Sequence, residues 1–188
     1  AVSTARASGD AALATTRTRA WRDYVAKLPK ATPPPAHSDP WPYWPALCGE
    51  LRHYMEAAAR AYALTGQRKY LAWCRDLAIA ISQWPQWTDP DYGDGQPGLD
   101  TRELLRAMCL AYDYLYPELN ERERAQIARV IAAKGAEPIL RYGSRPGSYL
   151  HRPDLWPNGY ATINAELGVA ALTLLGEDDR AQEWLRTS

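Results

Sequence analysis

Leu155-Trp-Pro-Asn-Gly-Tyr-Ala-Thr-Ile-Asn-Ala-Glu-Leu-Gly-Val-Ala-Ala-Leu-Thr-Leu-Leu-Gly176 is the stretch whose reading decides the fold. From Tyr160 on, Ile163, Leu167, Ala170 and Leu174 fall on one helical line, with Val169 and Leu172 beside it. Pro157 and Gly159 punctuate the start, Asn158 is a strong capping type, and Gly176 suits the left-handed position after the last turn. Tyr160, Asn164, Gly168 and Ala171 form a second line three or four residues apart. It puts a phenol and an amide where a purely structural helix would carry Leu or Ala. On the structural reading, Asn158 caps, Tyr160 packs and Asn164 satisfies a loop.

Working outward, the same periodicity predicts helices near residues 11–28, 45–64, 68–83, 101–116, 121–134 and 160–175, and a last one after Glu177-Asp-Asp179. Asp100-Thr-Arg-Glu103 and Asn120-Glu-Arg-Glu123 are capping-box patterns. Residues 136–157 read as irregular, with one helical turn around Ile139. No run alternates as a strand would. The expected fold is all-α, with antiparallel helical hairpins forming part of an incomplete (α/α) toroid. Residues 1–40 read as a helix and a Pro-rich linker, Thr32 to Pro40, and residues 41–188 as the hairpin domain.

Formal charge is zero, from 22 basic and 22 acidic residues, which gives no electrostatic case for nucleic acid or an anionic membrane. No apolar run approaches the ~20 residues that span a bilayer, and residues 1–10 lack the apolar centre of a signal peptide. Cys48, Cys74 and Cys109 each lie in an apolar helical pattern and read as buried free thiols; no metal-ligand spacing occurs, and no cofactor is expected. The aromatic content is skewed, with eight Trp, twelve Tyr and no Phe. Rings with a polar handle suit contact with half-polar partners such as sugars.

Three helix ends resemble one another: Ala61-Tyr-Ala-Leu-Thr-Gly66, Ala111-Tyr-Asp-Tyr-Leu-Tyr-Pro117 and Ala170-Ala-Leu-Thr-Leu-Leu-Gly176. Short turns inside each pair and long connections between pairs place the long connections at one end of the array. Trp41, Trp44, Trp84, Trp87 and Trp156 lie in or beside those connections, so that end is expected to be an aromatic rim.

Ala61-Tyr-x-Leu-Thr-Gly-x-x-Lys-Tyr70, Leu99-Asp-Thr-x-Glu-Leu-Leu105, Ala111-Tyr-Asp-Tyr-Leu-Tyr116 and Trp156-Pro-Asn with Asn164-x-x-Leu-Gly-x-Ala-Ala-Leu172 together resemble the N-terminal toroid of the heparinase II/III-type polysaccharide lyase superfamily, over roughly residues 40–186. The resemblance implies cleavage of a uronic-acid-containing, acidic polysaccharide by β-elimination, and a secreted or periplasmic location. The chemistry needs a group that holds the uronate carboxylate as charge develops, and a base for the C5 proton. On that resemblance the catalytic candidates are Asn158 for the carboxylate, with His151 or Arg152 as auxiliary to it, and Tyr160 for proton transfer. Trp156, Arg152, Tyr149, Asn164, Trp84 and Trp87 are the substrate-binding candidates. Of the other histidines, His53 reads as packed in mid-helix and His37 lies in the proline linker.

Two alternatives stand beside this reading. Asp89, Asp91, Asp94, Asp100 and Asp154 offer carboxylates for an (α/α)-toroid glycoside hydrolase. A non-catalytic scaffold would bind glycan or protein through the aromatic rim. In the lyase family the catalytic Tyr comes from a hairpin beyond the last one here, so the chain is expected to hold part of a site. The helix at 160–175 is apolar on more than one side, and self-association or further C-terminal domains are expected to supply its missing neighbour.

Overall fold

The computed structural model describes residues 2–16, 43–92, 95–152, 154 and 157–188. All regular structure among them is helical. The elements are α1 (Val2–Thr16), α2 (Tyr43–Thr65), α3 (Arg68–Ser82), α4 (Leu99–Leu115), α5 (Glu121–Val130), α6 (Glu137–Gly143), α7 (Pro157–Thr173) and α8 (Ala181–Thr187), with a π-helical segment at Ile131–Ala136 and 3-10 turns at Pro90–Tyr92, Tyr116–Glu118 and Tyr149–His151. The linker at 32–40, the domain boundary beside it, Trp41 and Trp156 lie outside the described residues.

The helices form a row in which α1 packs on α2, α2 on α4, α4 on α7 and α7 on α8. Behind the row, α3 packs on α2 and α4, and α5 on α3 and α4. Only Gly66 and Gln67 separate α2 from α3, so the chain must fold back on itself there; Gly66 takes φ 65° and its N–H donates to Tyr62 O at 2.7 Å. Trp44, Leu51, Met55, Leu104, Leu105, Met108, Ile163, Leu167 and Trp184 are fully buried in one continuous core. All three cysteines are buried and unpaired, and desolvation pushes the Cys74 thiol up to about 12.

Three expected boundaries shift, each for a physical reason. The first helix, expected from residue 11, already begins at Val2, because it docks. An added Cβ at Gly9 would stand 2.7 Å from Ala61 Cβ and 2.8 Å from Tyr70 Cε1, so the helix backbone lies directly on α2 and α3. The Tyr70 hydroxyl donates to Asp10 Oδ1 at 2.9 Å, and Lys69 pairs with the same carboxylate. The expected helix at 121–134 does not stop at Gly135. Pro138 cannot donate back to the preceding turn, and the chain absorbs that loss by widening into the π segment and continuing as α6. Gly135 is there for contact: an added Cβ would meet Leu105 Cδ1 at 2.4 Å.

The third shift concerns caps. Asn120 behaves as expected, accepting from Glu123 N at 3.0 Å while Glu123 accepts from Asn120 N at 3.1 Å. Asp100 does not cap α4; Gly98 holds that position. Asp100 lies fully buried in the first turn, accepting from Thr101 N at 2.8 Å and from Asp89 N at 2.5 Å. Asn158 likewise lies inside α7, one residue after its first.

Gly9→Ala tests the docking of α1. The new methyl faces Ala61 Cβ, which has no rotamer to yield. A loss of about 1–3 kcal/mol is expected, read as a lower Tm and faster proteolytic clipping within residues 2–16.

Candidate functional site

The connections that precede α4 and α7 meet and fasten each other. The Tyr149 hydroxyl donates to the Pro97 carbonyl, and the Tyr142 hydroxyl bonds Gln96 Oε1 at 3.1 Å. The two rings sit 5.5 Å apart, and the Arg145 guanidinium stacks 5.2 Å from the Tyr142 ring centre. Burial pushes the Tyr149 phenol up, which favours the protonated form that donates to the Pro97 carbonyl.

From that junction the chain makes the turn Tyr149–His151. The Ser148 hydroxyl accepts from Leu150 N at 3.2 Å, the Leu150 side chain is fully buried, and Asn164 Nδ2 donates to Leu150 O at 3.0 Å. One element of α7 thereby fixes the turn, and the next residue, His151, emerges exposed beside it. His151, Tyr160 and Asn164 line one hollow of about 300 Å³, with Ala161, Ala165, Thr187 and Ser188 as its other walls. Tyr160 is 36% exposed. An imidazole and a phenol over an alanine floor can accept and return a proton to a ligand seated there.

The remaining candidates are placed differently. Asn158 is exposed and is not among the residues lining the hollow; its carbonyl accepts from the Thr162 hydroxyl at 2.6 Å. Arg152 turns to Asp154 in a two-pronged pair at 3.0 and 2.8 Å. Asn164 gives one of its amide N–H groups to Leu150 O. The aromatic rim is corrected more sharply. Trp44, Trp84 and Trp87 are at most 1% exposed. Trp44 meets Trp84 edge to face at 6.1 Å, and Trp87 Nε1 donates to Ile81 O at 3.4 Å. Trp84 and Trp87 therefore present almost no surface to a ligand; the short segment after α3 folds inward because its indoles gain more from the core than from water.

The carboxylates of the hydrolase alternative fare no better among the described side chains. Asp89 and Asp100 are at most 2% exposed and are engaged in anchoring the loop, where Thr88 and Thr101 hydroxyls also bond at 2.8 Å. Asp154 is paired with Arg152. Asp94 and the Asp91 side chain lie outside the described residues. No three His, Cys, Asp or Glu side chains among the described residues cluster as metal ligands.

Sequence reasoning missed two features. His53, expected to be packed, is exposed on α2 and opens onto a cleft of about 510 Å³. A lattice of charges also crosses the row of helices. Glu56 accepts from Arg52 at 3.0 Å, Arg60 at 3.2 Å and Arg106 at 3.2 Å; Arg106 reaches on to Glu166 at 2.8 Å; Glu103 pairs with Arg52 and Arg102. Burial pushes the Glu166 carboxyl up, against the pull of Arg106, and its Oε2 is buried without a hydrogen-bond partner. The spacings Arg52-x3-Glu56-x3-Arg60 and Arg102-x3-Arg106 were the available signal.

Compared with known proteins, the chain matches no protein-family model, and no characterised protein matches it in sequence at a significant level.

Asp100 sets a pH dependence. Desolvation raises its carboxyl to about 6, with the Thr101 and Asp89 N–H groups pulling the other way and the Asp89 charge adding to the rise. The folded state thus holds a proton that the unfolded chain releases at its ordinary value of 3.8. This contribution is complete below the unfolded value and is lost as pH rises through about 6, on the order of 3 kcal/mol across the window. Urea denaturation from pH 4 to pH 7 is expected to show that decline, and Asp100→Asn to flatten it.

Proposed function

We propose that the chain is a lyase-type helical domain that acts on uronic-acid-containing polysaccharide by β-elimination, as part of an incomplete (α/α) toroid in a secreted or periplasmic protein. The observation that carries this reading is that His151 and Tyr160, nine residues apart on different elements, are both exposed and line one hollow. In the reaction, the C5–H bond breaks toward a base, the C4–C5 double bond forms, and the C4–O bond breaks with protonation of the leaving oxygen. A phenol and an imidazole on one hollow supply both proton-transfer roles.

The carboxylate clamp is less complete. Asn158 and Arg152 stand outside the lining of the hollow, and Asn164 gives one of its amide N–H groups to Leu150 O. This agrees with a domain that holds half a site. The hydrolase alternative loses its described acids to burial and ion pairing, as above. A scaffold role draws support from one observation: Leu172, Leu175 and Leu185, on α7, just after it and on α8, are 62, 52 and 41% exposed, apolar side chains open to association.

The test is ultraviolet absorbance of the unsaturated product formed from uronate polymers. Tyr160→Phe and His151→Ala are each expected to lower turnover about 10²-fold or more with little change in Tm, and the double variant to lose less than the product of the two. Full activity in Tyr160→Phe would sink the assignment. Asn158→Ala, if Asn158 meets the developing charge, lowers kcat and kcat/KM together.

A further inference from the structure

A cleft of about 510 Å³ lies apart from that hollow, between α1 and α2, with Tyr114 of α4 at its side. Its size falls within the ~300–1,000 Å³ of ordinary small-molecule sites. The apolar part is formed by Ala5, Ala57, Ala63 and Leu64, the last 49% exposed although it is one of the larger apolar side chains. Ser8, His53, Glu56, Arg60 and Tyr114 are the chief polar groups around it.

The electrostatics of the wall select the ligand. Glu56 is buried and accepts from three guanidiniums, so its charge is more than answered. Arg60 spends one contact on Glu56, at 3.2 Å, and its side chain remains 53% exposed. A guanidinium has five donors in a planar fork, and the rest of them stay available to the cleft. Neither His53 nor Tyr114 makes a hydrogen bond within the described structure; His53 only sets its ring against Tyr54, at 5.6 Å, and Tyr114 is 38% exposed. A phenol, an imidazole and a part-free guanidinium thus converge on an apolar floor. A cation would meet Arg60. A dianion such as phosphate would have one guanidinium among the lining residues to answer two charges. A single carboxylate matches the Arg fork in a two-pronged pair and leaves its body for the floor.

We propose that the cleft between α1 and α2 binds a small organic monocarboxylate, with Arg60 pairing the carboxylate, His53 and Tyr114 adding hydrogen bonds, and Leu64 and the alanines packing its apolar body. The site shares no residue with the His151–Tyr160 hollow and stands or falls independently of the lyase reading. Because α1 is one wall, occupancy also stabilises the docking of α1 by mass action.

The experiment is proton NMR of the histidine resonances of the 188-residue chain, titrated with benzoate, benzamide and inorganic phosphate, with the His53 signal assigned by its loss in His53→Gln. Benzoate is expected to shift His53 saturably, while leaving His151 in place. Benzamide and phosphate are expected to bind about tenfold or more weakly, and Arg60→Gln to weaken benzoate by a similar factor. Tyr114→Phe, which leaves the Arg–Glu lattice intact, is expected to weaken benzoate severalfold at unchanged Tm, and it carries the test if Arg60→Gln does not fold. Four outcomes overturn the proposal: no saturable shift at His53, benzamide equal to benzoate, phosphate tighter than benzoate, or folded Arg60→Gln and Tyr114→Phe both binding as the parent does.

Discussion

The burial of α4 constrains the rest of the molecule. It lies with α2 on one flank, α7 on the other, and α3, α5 and the π segment also against it. Leu104, Leu105, Met108 and Cys109 are fully buried, yet the same helix carries Arg102, Glu103 and Arg106. A charge so placed must find an opposite charge or drag water inward. Glu56 on α2 and Glu166 on α7 are where Arg106 finds it, and Arg52 on α2 answers Glu103. The pairs contribute little net energy beyond a well-packed apolar substitute, but removing one partner would strand the other, so they fix how the three helices register.

Loop anchoring follows from the same helix. Asp100, in the first turn of α4, draws the Asp89 N–H inward, which folds the segment after α3 against the core and carries Trp84 and Trp87 with it. At the loop's far end, Pro97 receives the Tyr149 hydroxyl and so positions the turn from which His151 emerges. The hollow beside α7 is therefore the outer end of a chain of contacts that begins at a buried carboxylate. The cleft beside α2 has a separate origin, in the close seating of α1 through Gly9 and the Lys69–Asp10 pair.

Much of this was legible beforehand. Helix existence and type followed from periodic apolar residues and from stops such as Gly66, and the observed α2, α3, α4 and α7 lie within about three residues of the expected ranges at either end. What failed were inferences that treated a side chain as belonging to its segment alone. Tryptophans in a Pro- and Gly-rich loop read as a rim, and they are core. A histidine in an apolar helical pattern read as packed, and it is exposed, because the helix turns that residue toward the open side of the row. Gly135 read as a stop and is a point of close approach to Leu105.

The amino-acid sequence by itself determined the helical character and helix order of the described residues, because backbone hydrogen bonding and the 3.6-residue period are local properties that each segment expresses alone. It also determined the Asn120 cap, whose two bonds span only three residues. The tertiary structure alone decided which polar groups face one another. Arg106 lies 50 residues from Glu56 and 60 from Glu166, and Tyr149 lies 52 from Pro97. No local pattern encodes such separations. They are set when apolar burial brings the helices together and the desolvated charges must take the partners that packing leaves within reach.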